Sequence, residues 1–171
     1  MNVYQAFTEV VKRHQERPAV VYLGQVFTYG DLFEAVERLS TGLVSLGIKE
    51  RDKIIIYIPN TPQWIISWLA VQKIGAVAVP IAPIYTSRDL RYIATDSGAR
   101  TVICADTNFG YARELKEEGT LSNLIVSRMG DLLPLFKRLV GKAFDRIPAG
   151  RIRKAKGIFT FLELTKKRTA T

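Results

Sequence analysis

Asp52 to Pro83, DKIIIYIPNTPQWIISWLAVQKIGAVAVPIAP, has the pattern of a strand, a helix and a second strand. The continuous apolar run Ile54–Ile58 is β-branched and of the length that suits a strand buried on both faces. A helix start follows. Thr61 is a good N-cap residue, and Pro62 stands at the first helical position, where its missing N–H costs nothing. Gly75 stops that helix by taking the left-handed cap conformation, and Val77–Val79 resumes as a strand. Strand, helix and strand in about thirty residues make a βαβ unit with parallel strands and a right-handed crossover.

Working outward, the unit repeats. Upstream, Val3, Phe7, Val10 and Val11 recur at helical spacing behind Asn2. Pro18 opens a hairpin, 19–23 with 26–28, read as turning at Gly24–Gln25 in a type II′ turn. Thr28 and Asp31 form a capping box for a helix with Leu32, Val36, Leu39 and Leu43 on one face, ending at Gly47. Downstream, Thr86 and Asp89 are a second capping box for a helix ending at Gly98. Thr101–Cys104 is a strand, residues 108–118 a helix ending at Gly119, and Leu124–Val126 a strand. The expected fold class is α/β: an open, mainly parallel sheet with flanking helices, preceded by a helix and a hairpin.

The 171 residues are enough for one ordinary core. The single cysteine, Cys104, lies in an apolar run and reads as a small buried hydrophobe. No intrachain disulfide is available, and a reducing, cytoplasmic setting is the expectation. The amino terminus has no signal-peptide pattern, and no stretch has the length of a membrane span. His14 is the only histidine, which excludes a multi-histidine metal site; no catalytic residue or metal ligand is assigned. Lys53, Lys73, Asp31 and Asp96 read as solvated or capping groups.

Charge divides the chain. Residues 1–127 hold 13 bases and 13 acids, whereas residues 128–171 hold 12 bases and three acids. A neutral α/β body at 1–127 therefore precedes a basic segment at 128–171. Within that segment Leu132, Leu135, Phe136, Leu139 and Val140 recur at helical spacing, with Lys137, Arg138, Lys142 and Arg146 on the opposite side. Such a helix either packs on the body or lies against anionic lipid. Nucleic acid is not an expected partner, because no aromatic residues interleave with the bases at 151–156.

Loop chemistry narrows the function by exclusion. No two of the 12 glycines lie closer than five residues, so G-x-G-x-x-G and the Walker phosphate loop are both absent. The loop after the first parallel strand, Pro59-Asn60-Thr61-Pro62, carries two prolines that cannot donate N–H groups to an anion. Ala82, Pro83 and Ile84 follow the next strand at the sheet's carboxyl edge, where open α/β sheets place ligands.

Phe27-Thr28-Tyr29-Gly30-Asp31-Leu32 and Val71-Gln72-Lys73-Ile74-Gly75-Ala76-Val77-Ala78-Val79-Pro80 resemble the first two core motifs of the adenylate-forming (AMP-binding) ligases. Leu46–Asp52, Tyr57–Asn60 and Tyr92–Ala99 resemble that family at the same spacing. The basic segment, closed by Phe159-Thr160-Phe161-Leu162-Glu163-Leu164, resembles an insertion of long-chain fatty acyl-CoA synthetases. The resemblance implies the amino-terminal subdomain of the acyl-CoA synthetase fold. It also implies a parent that uses ATP, magnesium and coenzyme A to convert a fatty acid to its adenylate and then its thioester. Ala82, Pro83 and Ile84 would lie on the coenzyme A side. The resemblance covers the opening third of such a ligase; the family's phosphate loop, magnesium glutamate, ribose aspartate and C-terminal lysine are not among these residues. The expectation is a chain that alone binds no cofactor and makes no adenylate, and that needs the rest of the ligase as its partner. The alternative is a non-catalytic homologue acting as a membrane-surface or protein-binding module.

Overall fold

The computed structural model describes residues 2–133, 152 and 155–166. The elements run α1 (Val3–His14), β1 (Pro18–Tyr22), β2 (Gln25–Thr28), α2 (Tyr29–Ser45), β3 (Lys53–Tyr57), α3 (Pro62–Lys73), β4 (Val77–Pro80) and α4 (Ser87–Ser97). They continue with β5 (Thr101–Ala105), a 3-10 turn (Asp106–Asn108), α5 (Phe109–Glu117), β6 (Asn123–Ser127), β7 (Ile158–Thr160) and α6 (Phe161–Thr165). Lys137, Arg138, Lys142 and Arg146, with the basic helix expected around them, lie outside the described residues.

The central sheet is parallel, in the order β4-β3-β5-β6-β7. The alternation of side chains sorts its residues into two cores. Ile54, Ile56, Ile103 and Ile125 face the layer of α2 and α3, while Ile55, Tyr57, Val102, Cys104, Leu124 and Val126 face α4 and α5. All ten are fully buried, which is why the strands read as unbroken apolar runs. The parallel α/β architecture expected from the sequence is therefore present.

Local signals set most boundaries. The Asp31 N–H donates to Thr28 Oγ1 at 3.1 Å and the Thr28 N–H to Asp31 Oδ2 at 2.8 Å, closing the box that starts α2. Gly75 has φ +71°, and the Ala76 N–H closes the α3 end on the Val71 carbonyl at 3.1 Å. Two expectations change. The hairpin turn is Leu23–Gly24, with φ +48° and +67°, which is type I′ geometry and not a II′ turn at Gly24–Gln25. The one-residue difference sets the faces: Phe27 is buried, while Val21 and Val26, paired across the ladder, point outward. At α3, Thr61 holds the N-cap position, but its side chain makes no capping hydrogen bond.

Residues 158–166 extend the sheet beyond the four strands read from the sequence. β7 pairs with β6, and Phe161 of α6 is fully buried in the same core as Leu39 and Leu43 of α2. A further capping box, Thr160 and Glu163, starts α6.

Candidate functional site

The chain leaves β3 toward β4 on one side and leaves β5 toward β6 on the other, so the sheet reverses its winding between β3 and β5. Open α/β sheets hold ligands in the crevice outside the carboxyl ends at such a switch point. A crevice of about 150 Å³ lies there, lined by Ile58, Thr61, Asp106, Thr107, Ser127 and Met129 among others. The loop after β3 supplies the first pair, the 3-10 turn after β5 the second, and the end of β6 the third.

The neighbouring side chains fix these loops. Gln63, in the first turn of α3, donates Nε2 to the Arg128 carbonyl at 3.0 Å, tying α3 to the segment after β6. The Arg128 N–H donates to Asp131 Oδ2 at 2.9 Å. Asp106 is 3% exposed, and its Oδ2 lies 3.9 Å from Arg128 Nε. Tyr57, at the last position of β3, donates its hydroxyl to the Tyr85 carbonyl. Asn108 donates Nδ2 to the Pro83 carbonyl at 2.7 Å. Burial pushes the Tyr57 phenol above its ordinary value, so it stays a neutral donor.

Ala82, Pro83 and Ile84 thus sit on the carboxyl edge, pinned by Tyr57 and Asn108, but they do not line the crevice. Ile84 is 85% exposed, and the three residues carry no cationic side chain for a phosphate. The crevice does not fit a nucleoside triphosphate either. It is smaller than the roughly 300 Å³ at which small-molecule sites begin, its buried ionisable group is a carboxylate, and among the described residues no lysine or arginine lines it. Among the described residues no group of three or more His, Cys, Asp or Glu is placed to hold a metal ion. No step of chemistry is assigned to this crevice.

A second polar cluster joins α1, α2 and α3. Tyr4 donates its hydroxyl to Glu37 Oε1 at 2.5 Å, and Lys73 Nζ lies 2.5 Å from the same oxygen and 5.7 Å from the Tyr4 ring centroid. Burial, then the neighbouring Glu37, pushes the Tyr4 phenol up to about 12. Burial works against the Glu37 carboxylate, but hydrogen bonds from Lys73 and Tyr4 hold it below the usual range. The cluster braces three helices, and Glu37 also lines an open pocket of about 290 Å³ together with Arg38, Thr41, Glu163 and Lys166. Lys73, read from the sequence as solvated, is in fact a half-buried partner of Glu37. Lys53 and Asp96 are exposed, Asp31 caps α2, and His14 is half-buried at the end of α1.

A model described as AMP-binding enzyme matches residues 7–143. The chain belongs to this family. The surfactin synthase subunit 2 of Bacillus subtilis (strain 168) is 40% identical to this AMP-binding chain over 101 residues, 59% of this chain and 3% of that one. The long-chain-fatty-acid–CoA ligase of Salmonella typhimurium (strain LT2) is 30% identical over 141 residues, 81% of this chain and 25% of the ligase. Among solved structures, coronafacic acid ligase from Pectobacterium brasiliense superposes with a TM-score of 0.77 at 22% identity, over 96% of this chain and 29% of that one, which shows a shared fold. The AMP-binding chain spans about a quarter of the length of the curated ligase it matches.

Tyr57, Gln63, Asp106 and Asn108 were not singled out from the sequence. The usable signal was a polar or hydroxyl-bearing residue inside an apolar stretch: Tyr57 ends the run of isoleucines, and Gln63 interrupts the most apolar helix.

Proposed function

We propose that this chain is the amino-terminal part of an ATP-dependent, AMP-forming long-chain fatty acid:CoA ligase. The complete protein would adenylate a fatty carboxylate and pass the acyl group to coenzyme A, with magnesium assisting the phosphates. The observation that carries this reading is the 30% identity to the Salmonella ligase across four-fifths of the chain. The second half of the reading is that these 171 residues alone neither hold ATP nor make adenylate. A fatty substrate partitions into lipid, and Lys137, Arg138, Lys142 and Arg146 would hold the protein peripherally at an anionic membrane from the cytoplasmic side. No helix among the described residues is long and apolar enough to cross a membrane. In this reading Ala82, Pro83 and Ile84 face the coenzyme A side of the assembled enzyme, and the basic segment that begins near residue 127 leaves the body and rejoins it at residues 158–166.

Intact-mass analysis of the natural gene product, followed by carboxylate-dependent ATP–pyrophosphate exchange, tests the reading. A product roughly three times the mass of this chain, with exchange driven by long-chain fatty acids, is the expected result. Exchange driven by amino acids or aryl acids instead would overturn the substrate assignment. A natural 19.2 kDa product without exchange would favour the non-catalytic module.

A further inference from the structure

Gln63 Oε1 and Ser67 Oγ, both on α3, are buried without a hydrogen-bond partner among the described residues. The two residues are 1% and 0% exposed. They stand about one turn apart, so their side chains are neighbours on one face of the helix. Leaving such groups unsatisfied in the interior is costly, and native proteins rarely do so.

Ser67 departs from the other buried and half-buried helical hydroxyls. Thr41, Thr8, Ser97 and Thr165 each donate to the carbonyl four residues back, at 3.0, 2.9, 2.6 and 2.9 Å. Ser40 and Ser45 donate to the carbonyl three residues back, at 2.9 and 2.7 Å. That bond is the local outlet for a hydroxyl inside a helix. Ser67 makes neither, although it is fully buried. Gln63, for its part, is held in one orientation. Its Nε2 donates to the Arg128 carbonyl at 3.0 Å and lies 3.5 Å from that of Met129. Turning the amide over would set Oε1 against two acceptors, so Oε1 is left facing away from them.

No side chain of a longer polypeptide can reach either atom, because both are closed off from the surface. The occupant must be as small as water and able both to donate and to accept. We propose that Gln63 Oε1 and Ser67 Oγ hold one internal water, which donates to the amide oxygen and shares a hydrogen bond with the serine hydroxyl. Two polar partners suffice for a structural water. The bridge makes Ser67 a positioning residue: through the water it orients the Gln63 amide, and the amide grips the turn where the chain leaves β6. In that turn the Arg128 N–H donates to Asp131 Oδ2 at 2.9 Å, and Met129 lines the switch-point crevice. The inference does not depend on the ligase reading.

The test uses the 171-residue chain. A high-resolution crystal structure should show one water at about 2.7–3.2 Å from both atoms. A direct bond from Ser67 Oγ to Gln63 Oε1, or to the Gln63 backbone carbonyl, with no water between them overturns the proposal. Amide exchange at Arg128 and Asp131 is the second readout. Gln63→Met keeps the length of the side chain without its amide and should speed that exchange roughly tenfold. Ser67→Ala should speed it about threefold in the parent, although no hydrogen bond joins Ser67 to residues 128–131. In the Gln63→Met background Ser67→Ala should have no effect, since the group it orients is gone. A serine that acts by packing alone would give the same factor in both backgrounds. That result, or unchanged exchange on Ser67→Ala in the parent, overturns the proposal.

Discussion

Replacing Gly42 by alanine should have opposite effects on stability depending on whether α6 is docked. Gly42 lies in the last third of α2, and an added Cβ would come within 2.9 Å of Leu164 Cβ and 3.0 Å of the Leu164 carbonyl oxygen. The second atom belongs to the backbone, so α6 as a whole must shift. Forcing extra volume into a packed contact costs about 1–3 kcal/mol. Alanine in a helix interior returns about 1 kcal/mol relative to glycine. The net change in the intact chain is thus destabilisation of roughly 0–2 kcal/mol. Phe161→Ala removes the fully buried ring that anchors α6 and should cost roughly 3–5 kcal/mol, within the 5–15 kcal/mol of a typical domain. With α6 loosened, the overlap at Gly42 relaxes and G42A should stabilise by about 1 kcal/mol. Urea denaturation of the four proteins, followed by circular dichroism, gives the cycle. Additive effects, or stabilisation by G42A in the Phe161 background and the parent alike, would refute the close packing of α2 on α6.

Further outcomes follow from the site and its surroundings. Tyr57→Phe removes the hydroxyl that holds the Tyr85 carbonyl; it should cost about 1 kcal/mol and speed amide exchange in residues 82–86 without disturbing β3, and unchanged exchange there would refute the pinned loop. Cys104 is fully buried, and burial pushes its thiol well above the ordinary range, so a thiol reagent at neutral pH should label it only at the rate of unfolding; immediate labelling would contradict its placement. Arg91 pairs with Glu118 at 2.6 Å and with Glu114 at 2.9 Å, and its hydrogen bonds hold the Glu118 carboxyl below its ordinary value of 4.5. A depressed carboxyl stabilises above its unfolded pKa and loses that contribution as pH falls through its folded pKa. The stability difference between the parent and Glu118→Gln should therefore shrink from pH 6 toward acid, and a difference constant down to the lowest pH at which both fold would refute the pairing.

Gly75 and Gly98 end their helices as read, because a glycine stop needs only its own φ. The Thr28–Asp31 box and the isoleucine run of β3 are equally local, and they suffice for the parallel α/β fold. The hairpin was misjudged by one residue because Leu23 accepts a positive φ that its type disfavours, so that Phe27 can face the core. β7 was missed because three residues carry no periodicity; it exists through pairing with β6 and through Gly157, whose φ of +75° lets the chain pass close to the Ser122 carbonyl. The crevice escaped notice for the same reason, since its walls come from loops after β3, β5 and β6, far apart in the sequence.

Helices α1–α5, four of the parallel strands, the family and the uneven charge are all carried by neighbours a few residues apart and were legible in the sequence alone. Only the tertiary structure decided which strands adjoin, that Lys73 is engaged by Glu37 and Tyr4, that Ala82–Ile84 stand beside the crevice and not in it, and that Gln63 and Ser67 are closed off in the interior. Those depend on distances between residues remote in the chain, which burial and packing set together and no local pattern encodes.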